Sequence, residues 1–535
     1  MDIFYNCNIF SQKSSPATAL AIDQGRFIAI GSDDDILDAF NHHANSINLN
    51  GKTIWPGLTD AHLHLRHLAE SQAMVNCETT TLEECLDRVK KAAEILPQGV
   101  WIRGHGWNQN RWESGFGNAR LLDEVCKGHP AYLTAKSLHA AWTNTQALSL
   151  ANIDDCTPNP ADGIIQRDEN GHPTGILFEA GAMGLVELMI PPSTHSELKN
   201  KFNKLFPMLW QSGLVGVHDF DGLDCWNVLQ DLHQAGELKL RVRKNIPADH
   251  IDTFIEAGLR TDTGDDWLHL GGVKLFADGA LGPQTAAMID PYEHSTETGS
   301  LLLTEDNLKT IGQYAVDNGI SLAVHAIGDL ANKTVLNAFQ WLRTHEREKE
   351  IPHLYHRIEH VQILDPEDLP RLAELDIVAS VQPVHAPSDM KMAEKYLADR
   401  SKYAYAYRSM LDLDACLVFG SDSPVEPFNP FYGIHAAVTR RRTDGQPGID
   451  GWYPEQRLSL TEALKGFSSI PAKISNRGSR LGSIEVGYKA DFLILQEDPF
   501  CLDPHQMAEV KPEATFIEGH CMYQSPNSIY DFFTH

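Results

Sequence analysis

The sequence predicts an α/β protein built on a (β/α)8 barrel, and three features carry this prediction. Eight short β-branched or apolar runs alternate with helix-compatible segments, which is the pattern of a barrel of parallel strands. Both chain ends are instead rich in short strands and turns, which indicates one small β domain built from the two termini. The long interval between the first and second runs fits no single β–α unit, so we expect an insertion after the first barrel strand.

The eight runs follow one another through the middle of the chain and are bounded by polar or glycine-containing turns. They are 53–58, 213–220, 238–246, 268–279, 320–329, 355–362, 376–385 and 415–422. The segment from Thr304 illustrates the intervening helices. Thr304 is a favourable N-cap residue, and Glu305 and Asp306 suit the first turn of a helix.

The predicted domain limits lie where these patterns change. Alternation in GRFIAIG near the N-terminus and in LGSIEVGYKADFLILQED near the C-terminus predicts a β domain formed by residues 1–54 and 475–535. The barrel then takes residues 55–474, within which the insertion extends over residues 66–212.

Composition and charge disfavour several classes of function. With 44 basic and 72 acidic residues, the net charge is −28, which opposes binding to nucleic acid and to anionic membranes. No apolar run is long enough to cross a bilayer, and the opening MDIFYNCNIF lacks the pattern of a secretory signal. Nine scattered cysteines without a C-x-x-C pair suit free thiols. We therefore expect a cytoplasmic protein that acts on a small molecule, and a homo-oligomer is compatible with the sequence.

Residues that can bind metal ions lie at or just beyond five of the predicted strands. They are His62, His64, Lys274, His325, His360 and Asp422. Active sites of such barrels form at the carboxyl ends of the strands, so we expect these side chains to converge. The first two histidines are two residues apart, so both imidazoles would point the same way from an extended chain. The sequence contains no P-loop, no G-x-S-x-G and no H-E-x-x-H motif that would indicate a different site.

Lys274 needs a chemical explanation, because an ammonium on a central apolar strand is costly unless it is paired or altered. A buried lysine with a lowered pKa can form a Schiff base, or it can react with CO2 to give a carbamate. The surrounding histidines favour the carbamate, which would be an anionic bridge between two cations. The carboxylated lysine would then join two sets of ligands, His62, His64 and Asp422 for one metal and His325 and His360 for the other.

These stretches resemble the metal-dependent amidohydrolase superfamily, and in particular its YtcJ-like branch, which includes N-substituted formamide deformylases. The matching segments are PGLTDAHLHL, GGVKLFADGALG, VHAIGDLAN, RIEHVQ, SVQPVH and GSDSPV, and they occur in the expected order over nearly the whole chain. The resemblance implies that the terminal β segments form a small β-sandwich and that the metals are two Zn²⁺ ions. It also implies hydrolysis of a C–N bond in an amide, an N-substituted formamide or a cyclic amide.

The predicted chemistry is metal-assisted hydrolysis. Two cations would lower the pKa of a bridging water, giving hydroxide near neutral pH, and would polarise the scissile carbonyl. Asp422 is the predicted catalytic residue, because it could take the proton of this water and deliver it to the leaving nitrogen. Three alternatives stay open: an esterase or lactonase on the same site, a Schiff-base aldolase that uses Lys274, and a non-catalytic relative.

Six further residues are candidates for substrate contacts, although each also has an ordinary structural explanation. They are Trp107, Asn108, His139, His218, Asp278 and His385. Asp278 could touch the substrate or a metal-binding histidine, because it shares a strand face with Lys274. Trp107 and the nearby Trp112 would suit an apolar or aromatic N-substituent.

Overall fold

The computed structural model describes residues 1–10, 17–40, 44–109, 112–113, 115–135, 140–160, 163–530 and 532. The chain divides into two compact units. The first is formed by Met1–Leu68 together with Phe202–His535, and the second is Ala69–Lys201.

The first unit contains the predicted barrel as a sheet of eight parallel strands. In chain order the strands are Leu58–Leu63, Leu214–Asp219, Arg241–Pro247, Leu268–Phe276, Leu322–Ala326, Arg357–His360, Val378–Val381 and Cys416–Phe419. The first and eighth strands meet at their carboxyl ends. There the Asp422 N–H donates to the His62 carbonyl at 2.7 Å, and the His64 N–H donates to the Ser423 carbonyl at 2.9 Å. The predicted fold class is confirmed.

The first barrel strand begins later than the sequence predicted. Thr53–Pro56 is a strand of the terminal β domain, paired antiparallel with Phe492–Leu495, and the barrel strand Leu58–Leu63 follows directly after Gly57. Gly57 permits the close junction, because a Cβ there would lie 2.7 Å from the Val215 side chain. The prediction of 53–58 as the first barrel strand was wrong, since two consecutive strands without a turn read as one apolar run.

Helices follow most of the barrel strands. They are Leu223–Gln234, Ile251–Glu256, Glu305–Asp317, Asp329–Glu348, Arg371–Glu374, His385–Leu397, Tyr407–Asp412, Pro430–Thr439, Leu460–Gly466 and Ser469–Ile474. Thr304 caps the helix predicted after it, since its hydroxyl accepts the Asn307 N–H at 3.3 Å. Within the described part of the chain, no helix combines the length and the apolar character needed to cross a membrane.

The two chain ends form a β-sandwich. One sheet contains Arg26–Gly31, Ala19–Asp23, Asp2–Tyr5 and Asn45–Asn48, and the other contains Asn8–Ile9, Thr53–Pro56, Phe492–Leu495, Pro512–Ile517 and His520–Gln524. Side chains of both sheets share one core, in which the Phe4 ring lies 5.4 Å from Phe492. A buried ion pair between Arg241 Nε and Asp491 Oδ2, 2.6 Å apart, ties this domain to the amino-terminal end of the barrel. The predicted small β domain is thus observed beside the barrel.

The second unit lies within the predicted insertion. Its six-stranded sheet has the order Ile164–Arg167, Pro173–Phe178, Ala140–Thr143, Ala131–Ala135, Ile102–Trp107 and Val75–Asn76. Its helices are Leu82–Ile95, Ala119–Cys126, Thr145–Leu150 and Glu179–Glu187. The helices Leu65–Gln72 and His195–Gln211 each contain a unit boundary, which is why this unit is shorter than residues 66–212. All nine cysteines of the chain are free thiols.

Candidate active site

The carboxyl ends of the barrel strands bring predicted metal ligands within reach of one another. Nε2 of His62 and Nε2 of His64 each lie 3.4 Å from Asp422 Oδ1. One ligand atom each from His62, His360 and Asp422 lies within 4.8 Å of the other two, which is close enough to share one ion. The His325 ring centroid is 4.6 Å from that of His360. Four strand ends therefore contribute side chains to one cluster.

Three of these histidines use Nδ1 for a hydrogen bond to a protein side chain. The acceptors are Glu359 Oε2 for His62 at 2.6 Å, Asp221 Oδ1 for His64 at 3.1 Å and Gln382 Oε1 for His360 at 2.8 Å. An acceptor at Nδ1 fixes the hydrogen there and leaves the lone pair on Nε2, which is how metal-binding imidazoles are usually oriented. The donor set fits a metal ion without rearrangement.

His325 has the opposite orientation. Its Nε2 lies 2.8 Å from the carbonyl oxygen of Gly279, which can only accept, so the ring hydrogen is on Nε2 and Nδ1 carries the lone pair. Burial, together with the Lys274 ammonium, lowers the pKa of His325 to about 4. Burial also holds the pKa of His360 well below its ordinary value. Both imidazoles are therefore neutral, as metal ligation requires.

Lys274 lies in the same cluster without a salt bridge. Its side chain is buried in the fourth barrel strand, and Nζ is 4.7 Å from the centroid of the Phe220 ring and 5.0 Å from that of Phe276. The carboxylates of Glu359 and Asp422 act on this nitrogen through their charge, without a hydrogen bond. Burial lowers the pKa of Lys274 to about 8. At pH 7 roughly a tenth of the amine is therefore unprotonated, far more than for an ordinary lysine.

Asp422 and His360 are held by unusual backbone conformations. Positive φ angles occur at Asp422 (59°), at His360 (77°) and at the β-branched Val361 (44°). Such conformations cost free energy and concentrate at functional sites. Burial raises the pKa of Asp422, but hydrogen bonds from His62 and His64 outweigh it and hold the pKa well below its ordinary value. The carboxylate is therefore ionised.

A column of buried polar side chains continues from His62 into the barrel interior, and the sequence analysis missed most of it. Arg357 Nε lies 2.5 Å from Glu359 Oε1, and Arg357 Nη1 lies 2.9 Å from His218 Nδ1. Glu359 was detectable from the sequence, because a carboxylate in the strand run that contains RIEH is costly to bury without a partner, as is the ammonium of Lys274. Asp221 was detectable as a polar residue just beyond the second run.

His218 and Asp278 are both deeply buried. Both ring nitrogens of His218 have protein partners, Arg357 and, at 3.4 Å, Ser475 Oγ. The Asp278 carboxylate accepts backbone N–H groups of Ala287, Ile327 and Gly328 at 2.8–3.0 Å. It also lies 3.7 Å from His325 Nε2, in agreement with a contact to a predicted metal ligand. These contacts give both residues a structural role, and substrate binding by either stays a prediction.

His385 is the best placed of the predicted substrate contacts in the barrel. Its ring lies 6.3 Å from that of His360, and Nδ1 is 3.4 Å from Gln362 Nε2. Nε2 is buried and has no hydrogen-bond partner among the described residues. A buried ring nitrogen without a partner is costly, so a ligand that satisfies it would bind favourably.

Trp107, Trp112 and Asn108 belong to the second unit. Trp107 is 1% exposed in its core and donates Nε1–H to the Leu133 carbonyl at 2.7 Å. Trp112 packs against it at 6.1 Å. These contacts explain both tryptophans as core residues. Asn108 is half-buried just after the strand Ile102–Trp107, and His139 lies outside the described residues.

Comparisons with known proteins agree with this site. The Amidohydrolase family matches residues 45–523. YtcJ of Bacillus subtilis, named as an amidohydrolase, is 31% identical over 95% of this chain and 96% of its own length. The N-substituted formamide deformylase of Arthrobacter pascens is 28% identical over 99% of both chains. A metal-dependent hydrolase from Pyrococcus furiosus, itself uncharacterized, has a crystal structure with a TM-score of 0.78, at 28% identity, covering 93% of this chain and 99% of that one. The chain therefore belongs to the amidohydrolase family, in its YtcJ-like branch, and has the fold of a metal-dependent hydrolase.

Proposed function

We propose that this protein hydrolyses the C–N bond of an amide, with an N-substituted formamide or a cyclic amide as the leading substrate classes. The convergence of His62, His360 and Asp422 within 4.8 Å at the carboxyl end of the barrel carries the proposal. The deformylase activity named for the Arthrobacter pascens relative supports the choice of a C–N bond.

Two Zn²⁺ ions would be held by the six residues predicted from the sequence. His62, His64 and Asp422 would hold one ion, and His325 and His360 would hold the other. Lys274 would bridge them as a carbamate. In that step the free amine attacks the carbon of CO2, a C–N bond forms, and one proton is released to solvent. When bound, the ions supply Lewis acidity and an activated water.

The residues of the chain would then position the substrate and move the proton. Asp422 is ionised and lies 3.4 Å from two of the proposed ligand nitrogens, so it can accept a proton from the attacking water. The resulting carboxylic acid can donate that proton to the leaving nitrogen. Without protonation the departing group would be a high-energy amide anion, so this second transfer completes the reaction.

An amide panel tests the proposal. Zinc-loaded protein would be assayed on N-substituted formamides, N-acyl amino acids and cyclic amides, with matched esters and lactones alongside. We expect amide turnover that is lost on chelation and restored by zinc. Turnover of esters alone would favour an esterase, and borohydride trapping of Lys274 in metal-free protein would favour an aldolase. Bound zinc without any turnover would indicate a non-catalytic relative.

Gln382 is expected to tune the metal affinity of His360. Gln382→Leu removes the acceptor for Nδ1–H without leaving a buried charge, so zinc affinity should fall by about 10–100-fold. Competition with a chelator measures it. Gln382→Glu keeps an acceptor oxygen and should retain most of the affinity. Equal zinc affinity in wild type and Gln382→Leu would remove Gln382 from this role.

His385 is expected to contribute to substrate binding. His385→Ala removes the partnerless Nε2, and losing one hydrogen bond of ordinary strength should raise KM by about tenfold. Zinc content should stay unchanged. His520→Ala changes an exposed residue at the start of a β-sandwich strand, so it serves as the control and should leave KM unchanged. A KM for His385→Ala equal to that of wild type would count against the contact.

A further inference from the structure

A cavity lies at the amino-terminal end of the barrel, at the opposite end from the proposed metal site. Its volume is ≈ 40 Å³, which is room for about three water molecules or one small anion. Among its walls are the starts of the first four barrel strands, which contribute Thr59, Gly216, Arg243 and His269. Ser475 and Arg477, which follow the helix Ser469–Ile474, also line it.

The cavity is lined by buried polar atoms that lack partners. His269 is 5% exposed, and neither of its ring nitrogens has a hydrogen-bond partner among the described residues. Arg243 is 2% exposed, and its Nε–H is likewise without a partner in the described part of the chain. Buried donors without partners cost free energy, and two such residues around one cavity indicate a bound polar species.

The charges around the cavity favour an anion. Arg243 has one carboxylate partner, Asp262, at 2.9 Å, and burial with the nearby cations Arg357 and Arg477 lowers its pKa to about 10. Burial holds the pKa of His269 well below its ordinary value, and the cations Arg477 and Arg243 act in the same direction. His269 is therefore neutral and offers one N–H in a region of positive potential. Asp266 and Asp491 also line the cavity, but Asp266 pairs with Arg480 and Asp491 pairs with Arg241. An anion would therefore still gain hydrogen bonds from Arg243 and His269 beside these cations.

The cavity adjoins the buried polar column. His218 lines the cavity, and its Nε2 lies 3.4 Å from Ser475 Oγ. Its Nδ1 contacts Arg357 Nη1. Arg357 in turn contacts Glu359, the partner of His62. An occupant of the cavity would therefore lie at one end of a continuous set of buried polar contacts whose other end is the proposed metal site.

We propose that this cavity is a binding site for one small monovalent anion, of the size of chloride or formate, held by Arg243 and His269. The anion would accept the Arg243 Nε–H and one ring N–H of His269, with the guanidinium of Arg477 nearby. This inference is independent of the proposed hydrolytic activity, because none of the residues that hold the anion is a proposed metal ligand or substrate contact.

Anomalous diffraction from bromide tests the site directly. Zinc-loaded wild-type protein would be prepared in gluconate, which is too large for the cavity, and crystals would be soaked in bromide or in formate. We expect a bromide peak within hydrogen-bonding distance of Arg243 and His269, or formate density at the same place if the site prefers carboxylates. Water alone in the cavity, with bromide only at the surface, would overturn the proposal.

Thermal denaturation gives a second measurement. Replacing gluconate by chloride at constant ionic strength should raise the Tm of wild type saturably, by about 2 °C or more. His269→Leu should lose this rise. His435→Leu is the control, because His435 is also a buried histidine, yet it does not line the cavity. A chloride response in His269→Leu equal to that of wild type would contradict the site, and if this variant fails to fold, the wild-type bromide experiment decides.

Discussion

Asp422→Asn is expected to lower kcat by about 10³-fold, within the range typical of losing a general acid–base residue. The amide keeps an oxygen that can ligate a metal, but it can neither accept the proton of water nor protonate the leaving nitrogen. Zinc content should therefore stay near that of wild type while turnover collapses. Steady-state kinetics on the best amide of the panel, together with metal analysis of the same preparation, measures both quantities.

Asp414→Asn is the matched control for this variant. Asp414 is exposed and has a φ of 62°, close to the 59° of Asp422, so both substitutions place asparagine in the same backbone conformation. Asparagine tolerates that region well, and Asp414→Asn should keep wild-type kcat. An unchanged kcat in Asp422→Asn would exclude Asp422 from the chemistry.

Lys274→Met is expected to reduce both turnover and metal content. Methionine keeps the apolar stem but cannot form a carbamate, so the bridge between the two ions is lost. The Lewis acidity of one ion is worth several kcal/mol, and losing it should cost about 10³-fold in kcat. Metal analysis should show fewer than two zinc ions per chain.

Carbon-13 NMR in labelled bicarbonate identifies the modification itself. Wild type should show a carbamate resonance that is absent from Lys274→Met. Lys244, a second buried lysine, is present in both proteins and is held by Asp219 at 2.9 Å, so it serves as an internal control for burial alone. Lys274→Ala opens space for a short carboxylate, and added acetate should restore part of the activity. A wild-type spectrum without the resonance, or full turnover in Lys274→Met, would refute the carbamate.

The boundary between the β-sandwich and the barrel shows where sequence patterns stop being informative. Residues 53–63 form two strands of two different sheets, separated by Gly57 alone. Burial does not distinguish them, because both strands are buried over most of their length. Only the pairing partner distinguishes them: Phe492–Leu495 for the first and Leu214–Asp219 for the second. Pairing across hundreds of residues is a tertiary property.

The sequence by itself determined the barrel and the residues available for a metal site. Strand and helix periodicity reflects local burial and is written into the order of the residues, and all six proposed ligands lie within the predicted strand runs or a few residues beyond them. Their joint occurrence at strand ends was therefore visible before any coordinates, as was the unusual position of Lys274.

The tertiary structure alone decided how these residues are arranged. The acceptors Glu359 and Gln382 decide which imidazole nitrogen of His62 and His360 faces the cluster. Each acceptor lies on, or directly after, a different strand from the histidine that it contacts. The tertiary structure also gives both ring nitrogens of His218 protein partners and places His269 near arginines. It leaves Nε2 of His385 without a partner among the described residues. Hydrogen-bond direction and electrostatic potential depend on distances between residues remote in the chain, and no local pattern encodes those distances.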